Sequence, residues 1–214
     1  MVHISDGILS LPVLTAGWVI TFTVLSWTVW KKKKEGEIAE EMPKLSVVTA
    51  AFFVASLIHV PIGPTSVHLI LSGLVGVVLG YLAYPAIFVG LILQAFLFQH
   101  GGITTIGINA VNMGIPALVA YGVFKFGSGS HFLSTTKSSA LGALAGGLAV
   151  TLSVFFCILS LLSTSFKYMG VAKLLAAGHI PVIAIEAAVV GSATAFLEKV
   201  KPEMLSAELG GEKK

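Results

Sequence analysis

Apolar runs long enough to cross a bilayer recur along this sequence, and they leave it one kind of solvent. A spanning helix needs about 20 mostly apolar residues. Seven segments meet or nearly meet that length, at roughly 9–30, 45–62, 69–84, 85–99, 104–126, 138–163 and 180–197. The third and fourth are short and meet at Tyr84-Pro85. Proline disfavours helix at the residue before it, so a tight hairpin is expected there. Only 11% of the 214 residues are charged and 56% are hydrophobic, against about 25% charged in an average soluble domain. No water-facing fold hides that much apolar surface at this length. The expected fold class is therefore an all-α polytopic membrane protein with seven transmembrane helices. A soluble enzyme, a nucleic-acid binder and a disulfide-stapled secreted module are excluded. The single cysteine, Cys157, cannot form an intramolecular disulfide and reads as a small apolar residue.

Lysines set the orientation. All 13 basic residues are Lys, and the net charge is +3. Lys31, Lys32, Lys33, Lys34 and Lys44 bracket the first loop. Placing that loop in the cytoplasm brings Lys125, Lys137, Lys199, Lys201, Lys213 and Lys214 inside as well, and leaves Lys167 and Lys173 outside. This satisfies the positive-inside rule and predicts N-out, C-in. The start carries Asp6, no Lys and no small-residue cleavage site, so it reads as an uncleaved outer end. The expected organisation is an external tip over 1–8, a first helix over 9–30, a charged cytoplasmic loop over 31–44, a membrane core over 45–197 and a polar cytoplasmic tail over 198–214. Residues 164–179 read as an external loop, with an interfacial helix between Lys167 and Ala177.

That topology sorts the histidines. His3, His59, His68, His100 and His179 fall at the outer end, and His131 alone falls inside. Imidazole is the commonest metal ligand, and it suits Zn, Cu, Fe and Ni. A one-sided set suggests capture of a metal ion from outside. Interfacial enrichment of polar aromatics is the plainer explanation, but it favours neither face.

The chain opens Met1-Val2-His3-Ile4-Ser5-Asp6-Gly7. A free amine, neighbouring amides and an early His can form fused chelate rings with their nitrogens in one plane. Planar nitrogen coordination is the geometry of Ni(II) or Cu(II). With Met1 retained, the Met1 amine, the Val2 and His3 amides and the His3 ring complete the plane. With Met1 removed, the Val2 amine, His3 amide and His3 ring supply three nitrogens, and His68 is the best candidate for the fourth. Asp6 is suited to pinning this tip, because carboxylate oxygen prefers harder ions.

Other polar residues in the spans need partners, since an unpaired amide in hydrocarbon is costly. Asn109 and Asn112 share a face three residues apart. They serve either as interhelical glue or as supports for the metal ligands. Glu186 is the only acidic residue deep in a span, about two turns inside His179, and intramembrane carboxylates are functional candidates. Small-residue stripes (Gly73, Gly76, Gly80; Gly142, Gly146, Gly147; Ala187, Ala188, Gly191, Ala195) serve close internal packing or present a smooth face to another subunit. There is no P-loop motif and no His-Glu-x-x-His, so uphill transport would draw its energy from a partner or an ion gradient.

Four motifs in order carry a resemblance. They are His3-Ile-Ser-Asp6-Gly7; Pro64-Thr65-Ser66-Val67-His68-Leu69; His100-Gly101-Gly102-Ile-Thr104-Thr105-Ile-Gly107-Ile-Asn109-Ala-Val-Asn112-Met113; and Gly178-His179-Ile-Pro181 with Glu186. Together they resemble the substrate-binding membrane component of nickel/cobalt energy-coupling-factor (ECF) transporters, the CbiM/NikM family of prokaryotic cell membranes, over nearly the whole chain. The resemblance implies a six-helix core plus an additional N-terminal helix that threads the tip into that core. It implies ligation by the first residue's amine, by His3 and by His68. Ser66, His100, Thr104, Asn109, Asn112, Asp6 and Glu186 become candidates for the surroundings. It also implies partners: a transmembrane coupling subunit, two ATP-binding-cassette ATPase subunits and a small accessory membrane protein. The family usually begins Met-His, so Val2 is an extra residue, and loss of Met1 would restore the pattern. The planar nitrogen set and the Thr65–His68 segment favour Ni(II) over Co(II) as the transported substrate. The competing expectation is a self-contained channel or proton-coupled carrier using Glu186.

Overall fold

The computed structural model describes residues 3–36, 38–62, 65–128 and 134–205, with 59–62 and 65–68 described by their backbone. Met1, Val2 and His131 lie outside the described residues. The chain is built almost wholly of helices: α1 (Leu11–Glu35), α2 (Ile38–Ala55), α3 (Ser72–Leu79), α4 (Ala83–Phe98), α5 (Ile106–Ser128), α6 (Thr135–Thr164) and α7 (Met169–Val200). A short antiparallel hairpin, β1 (His59–Ile62) and β2 (Thr65–His68), joins α2 to α3, in register His59↔His68 and Ile62↔Thr65. Five stretches are long and apolar enough to cross a membrane: Leu11–Glu35, Ser72–Phe98, Ile106–Ser128, Thr135–Thr164 and Phe166–Val200. The chain is a multi-pass membrane protein.

Several expected boundaries move, each for a physical reason. The charged stretch 31–44 is not a loop: α1 runs on to Glu35 and α2 begins at Ile38. Lysine and glutamate favour helix, and Lys32 bridges Glu41 at 3.2 Å across the turn. The second span stops at Ala55 instead of 62, and the next segment, with Val60, Pro61 and Ile62, is extended. The span expected over 69–84 is only the eight-residue α3. It rises about 12 Å, under half the roughly 30 Å hydrocarbon core, so α3 alone does not cross. The break before α4 comes at Gly80 (φ 59) and the 3₁₀ turn Gly80–Leu82, not at Tyr84-Pro85. Pro85 lies in the first turn of α4, where a missing N–H costs no helical bond. The loop expected over 164–179 shrinks to Ser165 and one 3₁₀ turn, Phe166–Tyr168, and α7 starts at Met169 with Pro181 inside it. The tail is partly packed: Leu205 is buried with Val77, Phe124, Ala145 and Ala149.

The small-residue stripes are spent internally. Gly142 lies against Thr194, Gly146 against Val190, Gly191 against Ala143, Gly73 against Gly146 and Gly76 against Ala117. These contacts knit α3, α5, α6 and α7 into one core around Ile70, Met113, Val150, Val154 and Val182. Cys157 is buried in a second cluster beside it.

The first helix docks on this core through its N-terminal half. Gly17 packs against Ile108, and the Trp18 indole N–H donates to the Thr104 carbonyl at 3.0 Å. Thr21 Oγ1 donates to the Gly107 carbonyl at 2.6 Å and bonds the buried Tyr84 hydroxyl at 2.9 Å. Losing both should cost about 1–3 kcal/mol. Thr21→Val is expected to lower the thermal unfolding temperature in detergent, while Thr23→Val, at an exposed position of the same helix, should leave it unchanged.

Several lysines gather at the opposite end. Lys31 and Lys125 both approach the Tyr81 ring, at 5.9 and 6.0 Å, and Trp27 packs edge-on to the same ring. Leu197, near the end of α7, packs with Phe124 and Leu141. Lys199 and Lys201 therefore share that end.

Candidate metal site

The first described residues do not trail into solvent. They are drawn into the bundle, and the sequence shows how. Asn109, 2% exposed on α5, pairs its side-chain amide with the backbone of Ile4. The Ile4 N–H donates to Asn109 Oδ1 at 3.0 Å, and Asn109 Nδ2 donates to the Ile4 carbonyl at 3.0 Å. One carboxamide thus satisfies both polar groups of a buried peptide, as a neighbouring strand would. Thr105 Oγ1 accepts a second bond from Asn109 Nδ2 at 3.3 Å and donates to the Gly102 carbonyl. The orientation of the amide is fixed from three sides.

Asp6 supplies the second clamp. Its carboxylate accepts from the Ile103 and Thr104 backbone N–H groups, each at 3.0 Å, and from the Thr104 hydroxyl. Gly101 and Gly102 make room for this. Gly101 has φ +79, which suits glycine, and a Cβ there would lie 3.0 Å from Asn109 Nδ2. A Cβ on Gly102 would fall 2.2 Å from the Asp6 carboxylate. Gly102→Ala should therefore eject Asp6 and loosen the tip. The expected result is faster amide exchange at residues 3–6 with the helices otherwise intact.

Further along, the Tyr168 hydroxyl donates to the Ile8 carbonyl at 3.1 Å, and the Ser10 N–H donates to Thr164 Oγ1 at 3.2 Å. Ile4 and Leu9 are buried among Ile108, Val111, Cys157 and Leu161. His3, 8% exposed, is buried with its Cβ beside Gly101. His100 is next in sequence to Gly101, its ring 6.2 Å from Phe98.

The two asparagines divide the roles between them. Asn109 holds the tip. Asn112, fully buried one turn on, accepts from Ser160 Oγ of α6 at 3.3 Å and is interhelical glue. Its Nδ2 has no hydrogen-bond partner among the described residues.

Glu186 lies fully buried on α7. Its carboxylate accepts the backbone N–H of Ile70, and the N–H of Leu71 at 2.9 Å to Oε1 and 3.2 Å to Oε2. These peptides follow β2 directly, so the strand ending at His68 is tied to α7. His179, two turns earlier on the same face of α7, is also buried and bonds the Leu175 carbonyl through Nδ1 at 2.8 Å.

The structure brings His3, Asp6, Thr104 and Asn109 into one neighbourhood. The backbones of Ser66 and His68 lie in β2, and the first two residues lie outside the described ones. Among the described residues, no three His, Cys, Asp or Glu side chains are grouped closely enough to hold a metal ion. Sequence reasoning missed Ile70 and Leu71 as partners of Glu186, because backbone N–H groups carry no residue signature. It also missed Tyr168, whose place beside the tip depends on α7 beginning early.

A multi-pass helical bundle that buries its own N-terminal segment beside a buried histidine is the class these observations define. The chain belongs to the CbiM family, described as the cobalt uptake substrate-specific transmembrane region, whose model matches residues 3–204. It is a membrane component of a metal transporter. It is 34% identical over 209 residues to a putative metal transport protein of Haemophilus influenzae, covering 95% of this chain and 97% of that one. It is 28% identical over 210 residues to a putative fused nickel transport protein NikMN of Archaeoglobus fulgidus, covering 95% and 68%. A crystal structure of a transition metal transporter shares the fold, with TM-score 0.73, 24% identity and coverage of 92% and 93%.

Proposed function

We propose that this chain captures a divalent transition-metal ion, Ni(II) in preference to Co(II), from outside the cell. It would do so as the substrate-specificity subunit of an ATP-driven ECF uptake transporter. The observation that carries the reading is the double backbone pairing of Ile4 with Asn109. That contact holds the N-terminal segment inside the bundle and buries His3. The ligands would be the amine of the first residue, the amide and ring of His3, and the ring of His68.

Grouping of Lys31 and Lys125 at the end opposite the tip supports N-out, C-in by the positive-inside rule. The tip then opens to the outside, where cargo arrives. In this reading α1 is the added helix that delivers the tip, and the later helices form the substrate-binding core. No P-loop motif is present in the sequence, so ATP hydrolysis would fall to the two ATPase subunits, acting with the coupling subunit and the accessory protein. Transport through Glu186 alone is the weaker alternative, because that carboxylate is engaged with two backbone donors.

Ligand nitrogens must lose their protons before binding. Nickel affinity is therefore expected to fall as the pH is lowered from 8 to 5, with proton release on binding that calorimetry in buffers of different ionisation enthalpy will count. Asn109→Ala tests the seating of the tip. It should weaken nickel binding about 10–100-fold, the usual cost of removing a residue that orients a ligand. Ser160→Ala, whose lost hydroxyl bonds Asn112 and the Phe156 carbonyl and not the tip, should not.

A further inference from the structure

We infer that Glu186 is a positioning residue for the metal site, holding the segment that carries His68 through the backbone N–H groups of Ile70 and Leu71. This rests on the proposed ligation by His68. Ile70 follows His68 by two residues, so their Cα atoms lie within about 7 Å. Its N–H and that of Leu71 converge on one carboxylate that is fully buried. Among the described residues no cation pairs with Glu186; the described ion pairs are Lys32–Glu41 and Lys44–Glu41. The carboxylate is therefore committed to the backbone.

Leu71 adds an independent sign. It stands at φ 51, ψ 10, in the left-handed region, as the cap of α3. A bulky residue avoids that conformation unless its surroundings impose it. The bonds from Leu71 N–H to Glu186 Oε1 and Oε2 are the imposing contact. They turn the chain sharply from the extended hairpin into α3. Without them the turn relaxes, and β2 with His68 at its end loses its fixed place. Glu186 would thus act on the metal only through the backbone of residues 70 and 71.

The test uses the full chain in detergent, with nickel alone as the probe and four variants: Glu186→Ala, Glu186→Gln, His68→Ala and the double variant His68→Ala with Glu186→Ala. Glu186→Ala is expected to weaken nickel binding about 10–100-fold. Glu186→Gln keeps a carbonyl acceptor and should lose less. In the His68→Ala background, Glu186→Ala should cost nothing further, a readout that general destabilisation would not give. Losses that multiply in the double variant, or full nickel affinity in Glu186→Ala, would overturn the inference. Amide exchange without metal provides the separate arm. Exchange at Ile70 and Leu71 should speed up in Glu186→Ala, and unchanged exchange there would also overturn it. If the unaltered chain binds no nickel while exchange responds as expected, the proposed cargo fails and the anchoring of the segment stands.

Discussion

A nickel titration of the chain with its N-terminal amine acetylated should show no high-affinity binding. In the proposed site the amine is one of the planar nitrogens, and acetylation ties up its lone pair in an amide without touching any helix. Loss of an orienting partner already costs about 10–100-fold in metal affinity, so loss of a ligand should exceed a hundredfold. The contacts that seat the tip begin at Ile4 and Asp6. The blocked chain should therefore keep its fold, and its thermal unfolding without metal should match that of the free chain.

The second large effect is expected at His68. With the first methionine removed, the tip supplies three nitrogens, and His68→Ala should weaken nickel binding by a hundredfold or more. Mass spectrometry of the intact chain gives the state of the start. If the methionine is retained, Met1, Val2 and His3 supply four nitrogens, and His68→Ala should cost little. Binding and mass measured on the same sample separate the two donor counts. His3→Ala should abolish binding in both, since its ring belongs to each set.

Much of this arrangement was legible in the residues. The apolar runs marked the helices, and the bounds of α5 and α6 fell within a few residues of those expected. Most lysines were expected at one end, and the structure places Lys31 and Lys125 over one ring. Asp6 was expected to pin the tip and does so through residues 103 and 104. Asn109 was one of two equal candidates, and only the bundle could separate it from Asn112. Their faces are shared, but one meets the tip and the other meets α6.

What was not legible depends on competition between local signals. Proline at 85 reads as a break, yet the first turn of a helix tolerates it, and Gly80 makes the turn instead. Pro181 and Gly178 read as the edge of a loop, yet α7 runs through both. The partners of Glu186 were hidden because they are peptide groups brought near it by more than a hundred residues of intervening chain.

A visible absorption spectrum with Ni(II) tests whether the tip itself binds the metal in a plane of nitrogens. A yellow, diamagnetic complex is expected at one nickel per chain, absent when the amine is acetylated. A pale green, paramagnetic complex, or a spectrum unchanged by acetylation, would contradict it.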